Sequence, residues 1–322
     1  MVIILLILSA KGPYGSSFRE IDLHIIRFLY SIFDPAICKG TSHPRFNQHP
    51  KMIQKKRILI ITQEMKPYLM HSEMARITNQ LPVHLLNAGN EIRVLMPRFG
   101  TINERRHRLH EVVRLSGMNI IIDDDDYPLI IKVASLPGAR LQVYFLDNED
   151  FFKRKNEFID DHKKFFEDNA ERMIFFCKGA LETVKKWGWP PDIIHCHGWM
   201  TSLIPMYIKT VYKKEPVFHN AKVIFSVYNN PFEGTLAKTF QKKALIHRDI
   251  KDSDFEYFKK ADFAGLTKGG IAHSDAVIIG DQKVDKNIKT FMKTKKKPVL
   301  DFVNGEEYLG VYHDFYKTLM KK

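Results

Sequence analysis

Six residues, Arg57–Thr62 (RILIIT), rise out of a basic lead-in, Lys55-Lys56-Arg57, and end at a polar turn, after which helical spacing begins near Ser72. A short apolar run, a turn and then a 3.6-residue pattern mark the first strand–helix unit of a parallel α/β domain. That unit constrains the later segments, because parallel strands need crossover connections, usually helices. It also says where to look for chemistry. Ligands of open α/β sheets bind outside the carboxyl ends of the strands, so the loop opening residues 64–82 (EMKPYLMHSEMARITNQLP) faces any ligand.

The rest of the chain repeats the unit. A helix over about Ser72–Ala88 ends at Gly89-Asn90, and Glu91–Met96 (EIRVLM) reads as a second strand. Glu111–Ile122 and Leu129–Leu136 read as strands of a β-rich insert joined by the acidic turn Asp123–Asp126, and Leu141–Leu146 is a further strand. Four consecutive Asp residues without interleaved ligand spacing read as a solvated turn rather than a cation site. Phe158–Trp187 carries apolar residues at helical spacing, an aromatic stripe that belongs in a core. Gly188-Trp189-Pro190-Pro191 breaks it, and Asp192–His195 opens a short buried strand. Val223–Tyr228 (VIFSVY), a helix over Phe258–Ile271 and a last full strand at Ala276–Gly280 come after it.

Composition bounds the partners. The 322 residues, 44% hydrophobic and 27% charged, suit one large α/β domain or two modest ones. A net charge of +13 favours anionic partners but says nothing of fold. The cluster Lys293–Lys297 reads as a solvated loop, and no nucleic-acid motif accompanies it. Cys38, Cys177 and Cys196 have no metal spacing and form no disulfide framework; Cys177 and Cys196 sit in apolar patterns as buried thiols, which fits a cytoplasmic location. Residues 1–51 are set apart: Val2–Leu8 is too short to span a bilayer, and the basic lead-in comes directly after Met52. They read as a mis-assigned or disordered extension, with a signal peptide as the alternative, ahead of one domain over residues 52–322.

Several segments carry a family likeness. Glu64, Pro67, Leu81 and Pro82 resemble the opening Glu-x-x-Pro…Lys-x-Gly-Gly…Leu-Pro of the glycogen and starch synthases, family 5 glycosyltransferases. Pro97-Arg98-Phe99-Gly100 and Asp168-Asn169-Ala170-Glu171-Arg172 are similar to further segments of that family. So are His195-Cys196-His197-Gly198-Trp199 (family His-x-His-Asp-Trp), Phe225–Asn229 (family Phe-Thr-Val-His-Asn) and Phe302–Glu307 (family Asn-Gly-Val-Asp). The resemblance spans roughly residues 55–310 and only the first half of the family's enzyme; a second, donor-binding Rossmann-like domain has no counterpart in the sequence. It implies a single Rossmann-like, doubly wound parallel sheet, the N-terminal, acceptor-side half of a GT-B glycosyltransferase, with a small β insert.

What the resemblance implies for function is transfer of glucose from ADP-glucose to an α-1,4-glucan, in glycogen biosynthesis. The implied catalytic residues are His197 and Tyr228, and the implied substrate-binding residues are Glu64, Met70, Ser72, Glu73, His195, Trp199, Asn229 and Asn304. Three places depart from the family. Met70 stands for its Lys and Ser72-Glu73 for its Gly-Gly, which removes the point charge and the close backbone approach a diphosphate needs. Gly198 replaces an Asp, and Tyr228 replaces a His near the reacting centre, where a phenol cannot take an imidazole's role. Trp199 offers a ring to stack on glucose. His195 and His197, read as lying on opposite sides of a strand, are not expected to chelate one ion, and neither a metal nor a cofactor is expected. These changes argue against activity of the chain alone. The alternatives are a non-catalytic glucan-binding or regulatory partner, and a basic nucleotide- or nucleic-acid-binding Rossmann domain supported by charge alone. Expected partners are α-1,4-glucan and either a separate donor-domain protein or a second copy, with no membrane and no nucleic acid.

Overall fold

The computed structural model describes residues 55–70 and 72–320. The expectation for residues 1–51, and Cys38 with it, lies outside the described residues. The chain runs β1 (Arg57–Thr62), α1 (Glu73–Asn87), β2 (Glu91–Pro97), α2 (Glu104–His107), β3 (His110–Glu111), β4 (Met118–Ile122), β5 (Asp125–Ser135) and β6 (Gln142–Asp147). Next come α3 (Glu149–Phe152), α4 (Asn169–Trp187), β7 (Ile193–His197), α5 (Leu203–Lys209), β8 (Lys222–Val227) and α6 (Phe240–Ala244). The last elements are α7 (Phe263–His273), β9 (Ala276–Ile279), α8 (Lys286–Thr294), β10 (Val299–Leu300) and α9 (Tyr308–Met320). Among the described residues no helix is long and apolar enough to cross a membrane.

One sheet organises them, in the order β10-β9-β8-β7-β1-β2-β6-β5-β3, with β4 paired to β5. From β10 to β6 every neighbour is parallel, and β1 lies at the centre with Ile60 opposite Val94 on one side and His195 on the other. Strands covered on both faces need no polar alternation, which is why RILIIT reads as an unbroken apolar run. The strand order reverses on either side of β1, as in a doubly wound sheet. β5 and β3 add antiparallel strands at one edge, and with β4 they form the expected small β insert. Asp123, at φ +56°, turns β4 back into β5.

Three expected elements are trimmed. The single strand over Glu111–Ile122 is two short ones, because the amides of Leu115 and Ser116 turn back onto the Val112 carbonyl at 2.8 and 3.1 Å. The helix expected from Phe258 starts at Phe263, where the Asp262 side chain accepts the Gly265 amide proton at 2.6 Å. The helix expected from Phe158 starts at Asn169, since the Asp160 carboxylate takes the His162 and Lys164 amide protons, each at 2.8 Å. Asp in that role competes with helix for the backbone and wins here. Lys293–Lys297 is not simply a solvated loop: Lys297 Nζ donates to the Ile271, Ala272 and Ser274 carbonyls and closes the C-terminus of α7. Cys177 and Cys196 are buried free thiols, as expected.

The helix α9 has no counterpart among the elements expected from the sequence. Tyr308, Tyr312 and Tyr316 recur every four residues on one face and are buried, with Leu319 beside them. That face packs on α1, where Tyr308 Oη donates to Gln80 Oε1 at 2.7 Å and the Arg76 guanidinium lies 4.9 Å from the Tyr308 ring centre.

Candidate functional site

The carboxyl ends of β1, β7 and β8 open into a cleft of about 910 Å³. Gln63 and Glu64 come after β1, Trp199 after β7, and Asn230 to Gly234 after β8; the far wall is Asn156, Glu157, Phe158, Ile159, Lys163 and Phe165. Aromatic rings make the floor: Trp199 packs against Phe158 at 5.0 Å and Phe232 at 4.9 Å, and Phe165 stacks on Phe232 at 4.7 Å with planes 10° apart. Among the described residues, the carboxylates of Glu64, Glu157 and Glu233 and the ammonium of Lys163 line it. Flat rings rimmed by amides and carboxylates suit the C–H faces and hydroxyls of a sugar.

Of the residues expected around the first loop, Glu64 and Ser72 line the cleft. The Ser72 hydroxyl donates to the Glu64 carboxylate at 2.5 Å while accepting the Ala75 amide proton as N-cap of α1. Thr62 Oγ1 and Thr78 Oγ1 both donate to the Glu64 carbonyl, at 2.8 and 2.7 Å, so the loop is fixed by its own polar groups. Met70 is 65% exposed and is not among the residues lining the cleft. Glu73 is ion-paired with Arg76 one turn on, which offsets the carboxylate expected to confront an anion. Ile159, in the cleft wall, is also exposed.

The histidines lie behind the cleft rather than in it. His195 and His197 are fully buried with ring centres 3.8 Å apart. The expectation that they point to opposite sides is corrected: residues two apart on a strand share a face. Even so, no metal-binding group of His, Cys, Asp and Glu exists among the described residues. His195 Nδ1 meets Tyr316 Oη at 2.6 Å and its Nε2 meets Ser226 Oγ at 2.7 Å, while His197 Nδ1 meets Tyr228 Oη at 2.7 Å. Burial drives the His197 pKa down to about 3 and that of His195 well below its usual value, with His197 adding to the latter, so both rings are neutral. Tyr228, also buried, has its pKa pushed up by burial. Neither His197 nor Tyr228, the residues expected to be catalytic, lines the cleft. Asn229 lines a neighbouring cleft, and Asn304 is exposed in the turn before α9.

Trp199 is only 3% exposed, its faces covered by phenylalanines. It supports the half-buried Phe165 and Phe232 rather than offering its own ring. Gly198 beneath it adopts φ +85°, ψ 163°, a region open to glycine almost alone. A Cβ built there would sit 2.4 Å from Gln63 Oε1, and that oxygen accepts the Met200 amide proton at 3.1 Å. Gln63 thus fills the space above the position where the family pattern has Asp.

The far wall is hidden in the sequence because it reads as the first turns of a helix. It hangs from Arg172, a fully buried guanidinium whose Nε donates to the Phe151 carbonyl at 2.7 Å and Nη1 to Asn169 Oδ1 at 2.5 Å. Phe99, Phe152, Phe158 and Phe166 surround it within 6.0 Å. Burial lowers its pKa to about 9, which leaves it charged at neutral pH. Asn169 Nδ2 in turn donates to the Phe158 carbonyl at 2.8 Å, and Arg154 pairs with Asp168 at the base of the wall. A buried Arg in the Asp168–Arg172 segment is the signal that could have marked it.

Comparison with known proteins agrees with this geometry. The model of the starch synthase catalytic domain matches residues 57–300. The chain is 34% identical over 261 residues to a glycogen synthase of Chlorobium limicola, covering 77% of this chain and 52% of that protein. It is 40% identical over 221 residues to one of Chlorobium phaeobacteroides, covering 68% and 44%. Among solved structures it is similar to the catalytic domain of starch synthase IV from Arabidopsis thaliana bound to ADP and acarbose, with a TM-score of 0.63 and 19% identity over 78% of this chain and 52% of that one. The chain spans about half the length of the curated relatives it matches. It belongs to the glycogen and starch synthase family of glycosyltransferases and has the fold of that family's catalytic domain.

Proposed function

We propose that this chain is the glucan-holding half of a glycogen or starch synthase and binds α-1,4-glucan in the cleft at the carboxyl ends of β1, β7 and β8. The observation that carries the reading is the cleft itself: an aromatic floor with a rim of amides and carboxylates. A neutral polyol fits that surface. The family reaction is glucosyl transfer from ADP-glucose: the bond between C1 and the diphosphate oxygen breaks, ADP leaves, and C1 bonds to the 4-hydroxyl at the non-reducing end of the glucan, which loses its proton. Glu64, Ser72, Asn230 and Glu233 would hold sugar hydroxyls, with Phe165 and Phe232 beneath the rings.

Met70 stands exposed where the family has its Lys, and His197 and Tyr228 are buried behind the cleft, so these described positions do not supply the family's groups for holding the diphosphate or stabilising developing charge. The reading therefore has donor contacts supplied by a second domain or protein, or gives the chain a non-catalytic glucan-binding role in glycogen metabolism. The two buried free thiols suit a cytoplasmic setting. Calorimetric titration with maltoheptaose and with ADP-glucose tests the reading. Saturable maltoheptaose binding with no ADP-glucose binding is expected; ADP-glucose binding without glucan binding would overturn it.

A further inference from the structure

Beside the glucan cleft lies a second one of about 760 Å³, and Pro231 and Phe232 line both. It is bounded by the N-terminal half of α7, by one face of α8 and by Asn229. We propose that the two clefts form one groove, in which the second binds additional sugar residues of the same linear glucan; this rests on the glucan reading above.

Three observations select that occupant. The ring of Phe232 is shared: it stacks on Phe165 on the first side and meets Phe263 at 6.2 Å, edge to face, on the second, so the aromatic surface continues from one cleft into the other. Charge in the second cleft is balanced, with Lys260 and Lys268 against Asp262 and Asp285, and both carboxylates are already engaged as N-caps of their helices. The formal charges there cancel, while the exposed amides of Asn229 and Asn287 are neutral donors and acceptors of the kind that hydroxyls pair with. A polymer whose repeating unit is neutral, flat-faced and hydroxylated matches both clefts at once, whereas a compact ligand would use one.

The test is chain-length dependence. Titration of the full chain with maltotriose and maltoheptaose is expected to show the longer sugar binding more tightly. Ala264→Arg, which fills the second cleft from its α7 wall, and Asn287→Ala, which removes an amide there, are each expected to weaken maltoheptaose by about tenfold, the net worth of one or two hydrogen bonds. Maltotriose affinity and the melting temperature should stay unchanged. Maltotriose and maltoheptaose binding equally, or variants that weaken both or neither, would overturn the second cleft while leaving the first as the glucan site. Binding of neither sugar to the unsubstituted protein would overturn both readings. Asn287→Ala adds no bulk, so a folding defect confined to Ala264→Arg still leaves the inference tested.

Discussion

Substituting Gly198 by Ala tests how the site is built. The backbone at φ +85°, ψ 163° costs a non-glycine residue about 1–3 kcal/mol. The new methyl would stand 2.4 Å from Gln63 Oε1 and 2.6 Å from its Cδ, so the Gln63 side chain, itself 4% exposed, has to leave. Its departure orphans the buried Met200 amide, a loss of about 1–3 kcal/mol. Together these give a destabilisation of about 2–6 kcal/mol. In a Gln63→Ala background the clash and the orphaned amide are already accounted for, and Gly198→Ala should cost only the backbone strain. Urea denaturation of the four proteins in this double-mutant cycle should therefore return a coupling of about 1–3 kcal/mol. A Gly198→Ala variant within about 0.5 kcal/mol of the parent would refute the strain argument. Equal cost in both backgrounds would refute the role given to Gln63. By the same reasoning Gly198→Asp alone does not rebuild the family's carboxylate, because its space is taken.

The buried polar groups give further expected outcomes. His195 and His197 are held neutral, with folded pKa values below the unfolded value, so stability is complete above about pH 7 and is lost as pH falls through the unfolded value of about 6.5 toward the folded ones. For His197, between pH 7 and 5, this amounts to about 2 kcal/mol, and His195 acts in the same direction; urea midpoints that do not move over that interval would contradict it. Tyr316→Phe leaves His195 Nδ1 without its partner and should cost about 1–3 kcal/mol in chemical denaturation. Arg172→Met orphans the Phe151 carbonyl and Asn169 Oδ1, at about 1–3 kcal/mol each. Amide exchange at Phe166, whose N–H is bonded to the Phe158 carbonyl, should quicken, and unchanged protection there would show that Arg172 does not anchor the wall.

Local pattern and motif made the frame of this protein legible. The unbroken apolar runs at Arg57–Thr62, Val223–Val227 and Ala276–Ile279 could only be strands covered on both faces, and the segments from Glu64 to Pro82 and from His195 to Trp199 marked which strand ends carry the site. What only the tertiary structure decided concerns which way side chains face and what already occupies the space. His195, His197 and Tyr228 look like reaching groups in the sequence, yet Tyr316, from a helix 121 residues beyond His195, and Ser226 tie His195 into the core. The wall from Phe158 to Phe165 reads as helix until Asp160 and Asn169, itself held by Arg172, claim its backbone groups through side-chain hydrogen bonds. Helix and strand propensity are set by neighbours along the chain and so can be read from it. Burial, pairing and the filling of a vacated position, as Gln63 does above Gly198, depend on residues brought together from distant segments, and those are fixed only when the chain has folded.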